Sequence, residues 1–183
     1  MAKMNRPRRN PRPLDPLRLN ELALAYVARF ATSAAKLEAY LRRKLRERGW
    51  EGEGEPPLVA VVTRMVAAGY VDDVQFARAR SGSLLRRGYG PRRVEQDLGQ
   101  AGIAEAVRDE VRAGAGEQRR AALAMARKRR FGPFGPPTAD RALREKQLSA
   151  MLRAGHPLDS ARNLLNASSV EAAEQWAAEP DEE

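Results

Sequence analysis

Three glycines set the plan of this chain: Gly49, Gly102 and Gly155, separated by two equal intervals of 53 residues. In the same register Leu45, Leu98 and Met151 stand four residues before each glycine, and Trp50, Ile103 and His156 follow it. A glycine reaches left-handed backbone at little cost, so it stops a helix, and apolar residues on either side close the turn. Each unit reads as a long helix, a helix stopped by glycine, and a shorter helix. Such units bury their apolar faces partly against their neighbours. The expected fold class is therefore all-α, an elongated array of three tandem three-helix modules.

The local signals agree with that plan. "LRLNELALAYVARFA" (17–31) carries apolar residues at helical spacing, and Thr32 and Ser33 offer an N-cap for the next helix. That helix places Leu37, Leu41 and Leu45 on one stripe and stops at Gly49, read as a left-handed cap. The valine run of "PLVAVVTRMVAAG" is ambiguous for strand, but its proline start and its end at Gly69 favour helix. Further helices are expected in "VQFARARSGSLLRRG", from Pro91 to Gly102, in "IAEAVRDEVRAG", over 117–130, in "ADRALREKQLSAMLRAG" and in "PLDSARNLLNA". "FGPFGPPT" is too rich in Pro and Gly for helix. The expected organisation is a basic Pro/Arg-rich tail over 1–18, repeats over 19–71, 72–114 and 115–168, and an acidic tail over 169–183.

Charge separates these parts. The chain has a formal net charge of +9, with +5 on residues 1–18, −6 on 171–183 and hence +10 on the body between. Both ends read as solvated, and the basic body points to an anionic partner. Cysteine is absent, so disulfides and thiolate chemistry are excluded. No apolar run approaches the roughly 20 residues that span a bilayer, and the basic N-terminus has no apolar core behind it. The expectation is a soluble cytoplasmic protein with no membrane partner.

Paired carboxylates at Asp72 and Asp73 could be a metal or general-base pair. They lie between Gly69 and a helix, where a carboxylate accepts from first-turn N–H groups and suits the positive end of the helix dipole; Arg86 and Arg87 suit the far end. The only histidine is His156, and no third carboxylate follows at ligand spacing. Capping is the better reading. His156 occupies the slot of Trp50 and Ile103, which makes it a packing residue rather than a base. There is no phosphate-binding loop, and "GYGPRR" lacks the third glycine of a dinucleotide fingerprint. The chain reads as a binding protein, not an enzyme, with no cofactor and no metal.

The central stretch "AAGYVDDVQFARARSGSLLRRGYGPRRVEQDLGQAGI" closely resembles the middle repeat of the RecX family, bacterial regulators of the RecA recombinase. Gly69, Tyr70, Asp72 and Asp73 fill the family's entry motif, Phe76 and Ala77 follow, and Gly88, Gly90 and Pro91 fill its Gly–Tyr–Gly–Pro turn. "RRFGP" and "LSAMLRAGH" are similar to the third repeat, so the resemblance covers about residues 20–168. The family often has an aromatic where this chain has Arg80, on the Phe76–Leu84 stripe, so that guanidinium should snorkel or find a carboxylate. Gly82 in mid-helix costs on the order of 1 kcal/mol against Ala and suggests another backbone close by.

The resemblance implies a monomer whose partner is the RecA–DNA filament, and whose effect is mainly to inhibit recombinase, ATPase and coprotease activity in DNA repair and the SOS response. Direct binding of DNA is left open. From helical geometry Arg42, Arg43 and Arg46 point away from the Leu37–Leu41 stripe, and Arg92 and Arg93 away from Val94 and Leu98. Arg86, Arg87, Arg127, Lys128, Arg129 and Arg130 complete a candidate basic surface. For any single arginine a plain solvated face is the simpler reading; the recurrence in three repeats is what suggests one surface. The alternative is a sequence-specific DNA-binding regulator using helix-turn-helix-like units, against which stands the lack of a single recognition helix. An RNA-binding repeat would need stacking aromatics, and Phe, Tyr and Trp total only ten.

Overall fold

Wherever apolar residues recur at three- and four-residue spacing the backbone is helical, and prolines and cap residues set where most of the helices begin. The computed structural model describes residues 12–136 and 140–180. Its α-helices are α1 (Pro16–Val27), α2 (Ala34–Arg48), α3 (Leu58–Ala67), α4 (Asp73–Arg86), α5 (Pro91–Gln100), α6 (Glu105–Glu110), α7 (Ala115–Arg129), α8 (Arg141–Arg153), α9 (Leu158–Leu165) and α10 (Val170–Ala178). A 3₁₀ turn, Gly132–Phe134, lies in the Pro/Gly-rich stretch after α7. Among the described residues the one β-type pairing is an isolated bridge between Leu14 and Trp50. The all-α expectation holds, and the valine run of α3 is helix.

The chain forms two compact units, Met1–Asp73 and Val74–Glu183. The first has one core, in which Leu14, Leu19, Leu37, Leu41 and Val61 are wholly buried and Met65 nearly so. The second has two: Ala77, Leu84, Leu98 and Ile103 in one, and Ala122, Met125, Met151 and Leu164 in the other. The helices follow the repeated order of long, glycine-stopped and short: α1–α3, α4–α6, and α7–α9.

Gly102 (φ +73°) and Gly155 (φ +93°) end their helices in the same way. Ile103 N–H donates to the Leu98 carbonyl at 3.1 Å, and His156 N–H to that of Met151 at 3.2 Å. Gly69 and Gly88 close α3 and α4 likewise, through Tyr70 N–H to Met65 O (2.9 Å) and Tyr89 N–H to Leu84 O (3.1 Å). These are the paired long and short bonds of a glycine-stopped helix end. Gly49 departs from the expectation. Its φ of 83° comes with ψ of 170°, an extended conformation open only to glycine rather than left-handed helix. The reason is Leu14, whose N–H takes the Gly49 carbonyl at 3.0 Å and whose carbonyl takes Glu51 N–H at 2.9 Å.

Both expected tails are corrected. Residues 1–11 lie outside the described residues, but Leu14 is buried, and Asp15 accepts from Arg18 N–H at 2.8 Å to cap α1, with Pro16 at its first position. The acidic segment is not a solvated tail from 169 onward: Ser169 caps α10, and Ala173 and Ala177, four apart, are buried, Ala173 within the third core. Its acids sit on the outer side of a helix that is anchored by alanines. Residues 181–183 lie outside the described residues.

The GYGP turn explains itself in the second unit. Gly90 N–H donates to the Ala154 carbonyl at 2.8 Å, and Arg92 N–H to that of Gly155 at 3.2 Å. A Cβ on Gly90 would stand 2.3 Å from the Gly155 carbonyl carbon, and one on Gly155 would stand 2.4 Å from Arg93 N. Two loops thus meet backbone to backbone where no side chain fits.

Candidate functional site

The α2 face is built by a simple division. Leu37 and Leu41 are buried, while Arg42, Arg43 and Arg46 are exposed. Six basic and two acidic residues leave the helix with a charge of +4. The acids are not idle: Glu38 pairs with Arg42, and Glu47 with Lys44 (2.6 Å) and Arg43 (3.6 Å). The Lys44 hydrogen bond, with the charges of Lys44, Arg43 and Arg46, holds the Glu47 carboxyl below its ordinary pKa. Tyr40 stacks on Tyr26 at 4.1 Å and lies under the Arg43 and Lys44 cations, which stiffens the base of this face.

The remaining candidate cations belong to the second unit. Arg86, Arg87, Arg92, Arg93, Lys128, Arg129 and Arg130 are all exposed. Arg87 lies over the Tyr89 ring, and Arg93 donates to Gln96 at 3.0 Å. Arg130 has left-handed backbone (φ 55°) and ends α7. Arg127 is exposed too, but it pairs with Glu174 of α10 and lies 5.6 Å from the Phe134 ring centroid. Its charge is thus partly cancelled within the chain. That partner stands in the acidic segment expected to be a solvated tail, so the sequence alone does not point to it.

Arg80 finds the carboxylate it needs. Its Nε and Nη2 bind the two oxygens of Asp97 on α5 at 2.6 and 2.8 Å, a two-pronged pair that raises the guanidinium pKa. Gly82 corrects its expectation. Among the described residues no backbone outside its own helix comes within 4 Å of a Cβ placed there; that Cβ would meet the Arg86 guanidinium at 3.0 Å. It faces a groove of about 480 Å³ between α4 and α7, with Arg86 and Arg120 on its sides. Arg120, Arg108 of α6 and Arg112 just after that helix are cations that the sequence reading passed over. Their only local signal was the four-residue spacing of Arg108 and Arg112 beside Val107 and Val111.

Asp73, the first residue of α4, caps the start of α2: its Oδ1 accepts from Ala34 N–H at 2.9 Å, where Ser33 also accepts from Lys36 N–H at 3.2 Å. Among the described residues no group of three His, Asp or Glu side chains is placed to share a metal ion. His156 is fully buried and its Nε2 lies 3.0 Å from the Gly88 carbonyl. Burial pushes its pKa below the usual value, more than the Gly88 contact raises it. It is a packing residue in the Trp50 and Ile103 slot. No helix among the described residues is long and apolar enough to cross a membrane.

Three-helix repeats with exposed cations on their helices define a helical-repeat protein. Residues 72–111 match the family model described as RecX, second three-helix domain. The chain is 30% identical over 175 residues to the regulatory protein RecX of Myxococcus xanthus, covering 91% of this chain and 94% of that one. It is 36% identical over 123 residues to its counterpart in Xanthomonas campestris pv. campestris, covering 67% and 72%. The crystal structure of RecX from Lactobacillus salivarius superposes with a TM-score of 0.65 at 15% identity, over 82% of this chain and 96% of that one, a likeness of fold. The chain belongs to the RecX family of regulatory proteins.

Proposed function

We propose that this protein binds the RecA–DNA filament and modulates it, mainly by inhibiting recombinase, ATPase and coprotease activity. It acts as a cytoplasmic monomer and needs no cofactor. The observation that carries this reading is the exposed α2 face with its charge of +4, in a chain whose family members are named regulatory proteins. A cation-rich helix face complements an anionic filament surface and speeds encounter with it. Inhibition by occupancy asks for no catalytic group.

The decisive measurement is RecA ATPase on single-stranded DNA, with wild-type protein and with a variant carrying Arg42→Glu, Arg43→Glu and Arg46→Glu. Single exposed pairs contribute only about 0–1 kcal/mol, so the three are reversed together. Wild type should inhibit, and the folded triple variant should lose most of that effect. Equal inhibition by both would move the site off α2 and toward Lys128 to Arg130. No effect of wild type at saturation would instead support a DNA-binding regulator.

A further inference from the structure

The second unit holds a pocket that, apart from Arg92 at its edge, the filament reading does not use. It opens beside α5, α6 and the start of α7, with a volume of about 280 Å³. Its floor is aliphatic: Leu85, Val94 and Leu98 belong to the second core, and Val111 of the segment after α6 completes it. No aromatic side chain lines it. At the rim stand Arg92, Arg108 and Arg112 against one carboxylate, Glu95.

The rim is only partly neutralised. Arg108 binds Glu95 through Nη1, while its Nε is shielded from solvent and has no hydrogen-bond partner among the described residues. Arg112 pairs with Asp109, but both are more than half exposed, so water screens the pair and an incoming carboxylate can compete for the guanidinium.

We propose that this pocket docks an acidic segment of a partner protein, with one large apolar side chain seated on the floor and flanking carboxylates on Arg92 and Arg112. The volume lies at the lower edge of the roughly 300–1,000 Å³ of small-molecule sites, which suits one side chain rather than a cofactor. A nucleic acid would satisfy the arginines but leave the aliphatic floor unmatched, and no ring is present for a base to stack on. A neutral apolar peptide would fill the floor and leave the surplus positive charge of the rim unmatched. An acidic segment with an apolar anchor meets both parts, in the pattern of an anchor residue ringed by polar contacts.

The test uses the full-length protein without RecA or DNA, so its result is separate from that of the filament reading. The probe is a fluorescein-labelled peptide, Gly-Asp-Glu-Leu-Phe-Asp-Glu-Gly, followed by anisotropy and by methyl chemical shifts of Leu85, Val94, Leu98 and Val111. Saturable binding with shifts at those methyls is expected. Replacing Leu-Phe by Ser-Ser in the peptide, or Arg92→Glu with Arg112→Glu in the protein, should each weaken binding about tenfold or more. Ala113→Trp, which narrows the pocket without altering charge, should do the same, with circular dichroism confirming each variant's fold. Absence of binding overturns the proposal. So does binding indifferent to both changes, or displacement of the peptide from these methyls by a thymidine oligonucleotide of equal charge.

Discussion

His156 shows how one residue ties local chemistry to the stability of a unit. Its ring is buried and its pKa lies below the ordinary value, so the folded protein holds it neutral where the unfolded chain would protonate it. Above the unfolded value of about 6.5 the two states bind equal protons and His156 adds no pH dependence. As pH falls below that value the unfolded chain takes up a proton first, and stability is lost. Urea unfolding from pH 7.5 to 5.5 should show this decline, and His156→Gln, which cannot titrate, should flatten it. Asp73 acts at the same scale. Removing its carboxylate with Asp73→Ala should cost about 0.5–2 kcal/mol through loss of the Ala34 cap, read as a lower urea midpoint at unchanged slope.

At the scale of elements, local features were legible and cross-chain pairings were not. Ser33, Pro91 and the glycines announce helix ends because the atoms they satisfy lie within a turn in sequence. Arg80 was legible as a need, since its place on the Phe76–Leu84 stripe forces it to find a carboxylate, but Asp97 lies on the next helix and no local pattern named it. The Arg127–Glu174 pair spans 47 residues. The end of the chain was misread because its acids outweighed the quieter signal of Ser169 with Ala173 and Ala177. Ending the chain at Asn166 should therefore cost at least about 2 kcal/mol of stability, from the apolar area that α10 covers, and should lower the melting temperature. Glycines differ by what surrounds them. Gly69→Ala meets open space and only the strain of its φ of 74°, about 1–2 kcal/mol. Gly90→Ala drives a methyl into the Gly155 carbonyl and should cost more, beyond the usual 1–3 kcal/mol of overpacking. Parallel urea titrations of the two variants compare these costs directly.

For the whole molecule, the repeat in the sequence marks out the three cores, while the distribution of charge required the structure. Cations named from helical geometry are exposed, as that geometry demands, yet several are paired: Arg42 with Glu38, Arg43 with Glu47, Arg127 with Glu174. Periodicity tells which way a side chain points and is silent on what it meets. The surplus of positive charge nonetheless stands at +9. Association with an anionic filament should therefore weaken steeply as salt rises from about 0.05 to 0.5 M, where the screening length falls well below 10 Å. Titration of RecA ATPase inhibition against salt measures it, and a flat response would mean that contact is dominated by apolar surface.

The meeting of Gly90 with Gly155 carries a consequence for how such chains diverge. The joint is made of backbone atoms and the buried His156 ring, so the outer faces of the modules on either side are free to change without disturbing it. The same joint leaves no room for a methyl at either glycine, so the two loops fit only as a matched set. Chimeras that exchange the second or third repeat between relatives should assemble when both loops keep their glycines and His156, whatever stands on the outer faces. They should fail when one loop alone is carried from a chain that lacks its glycine.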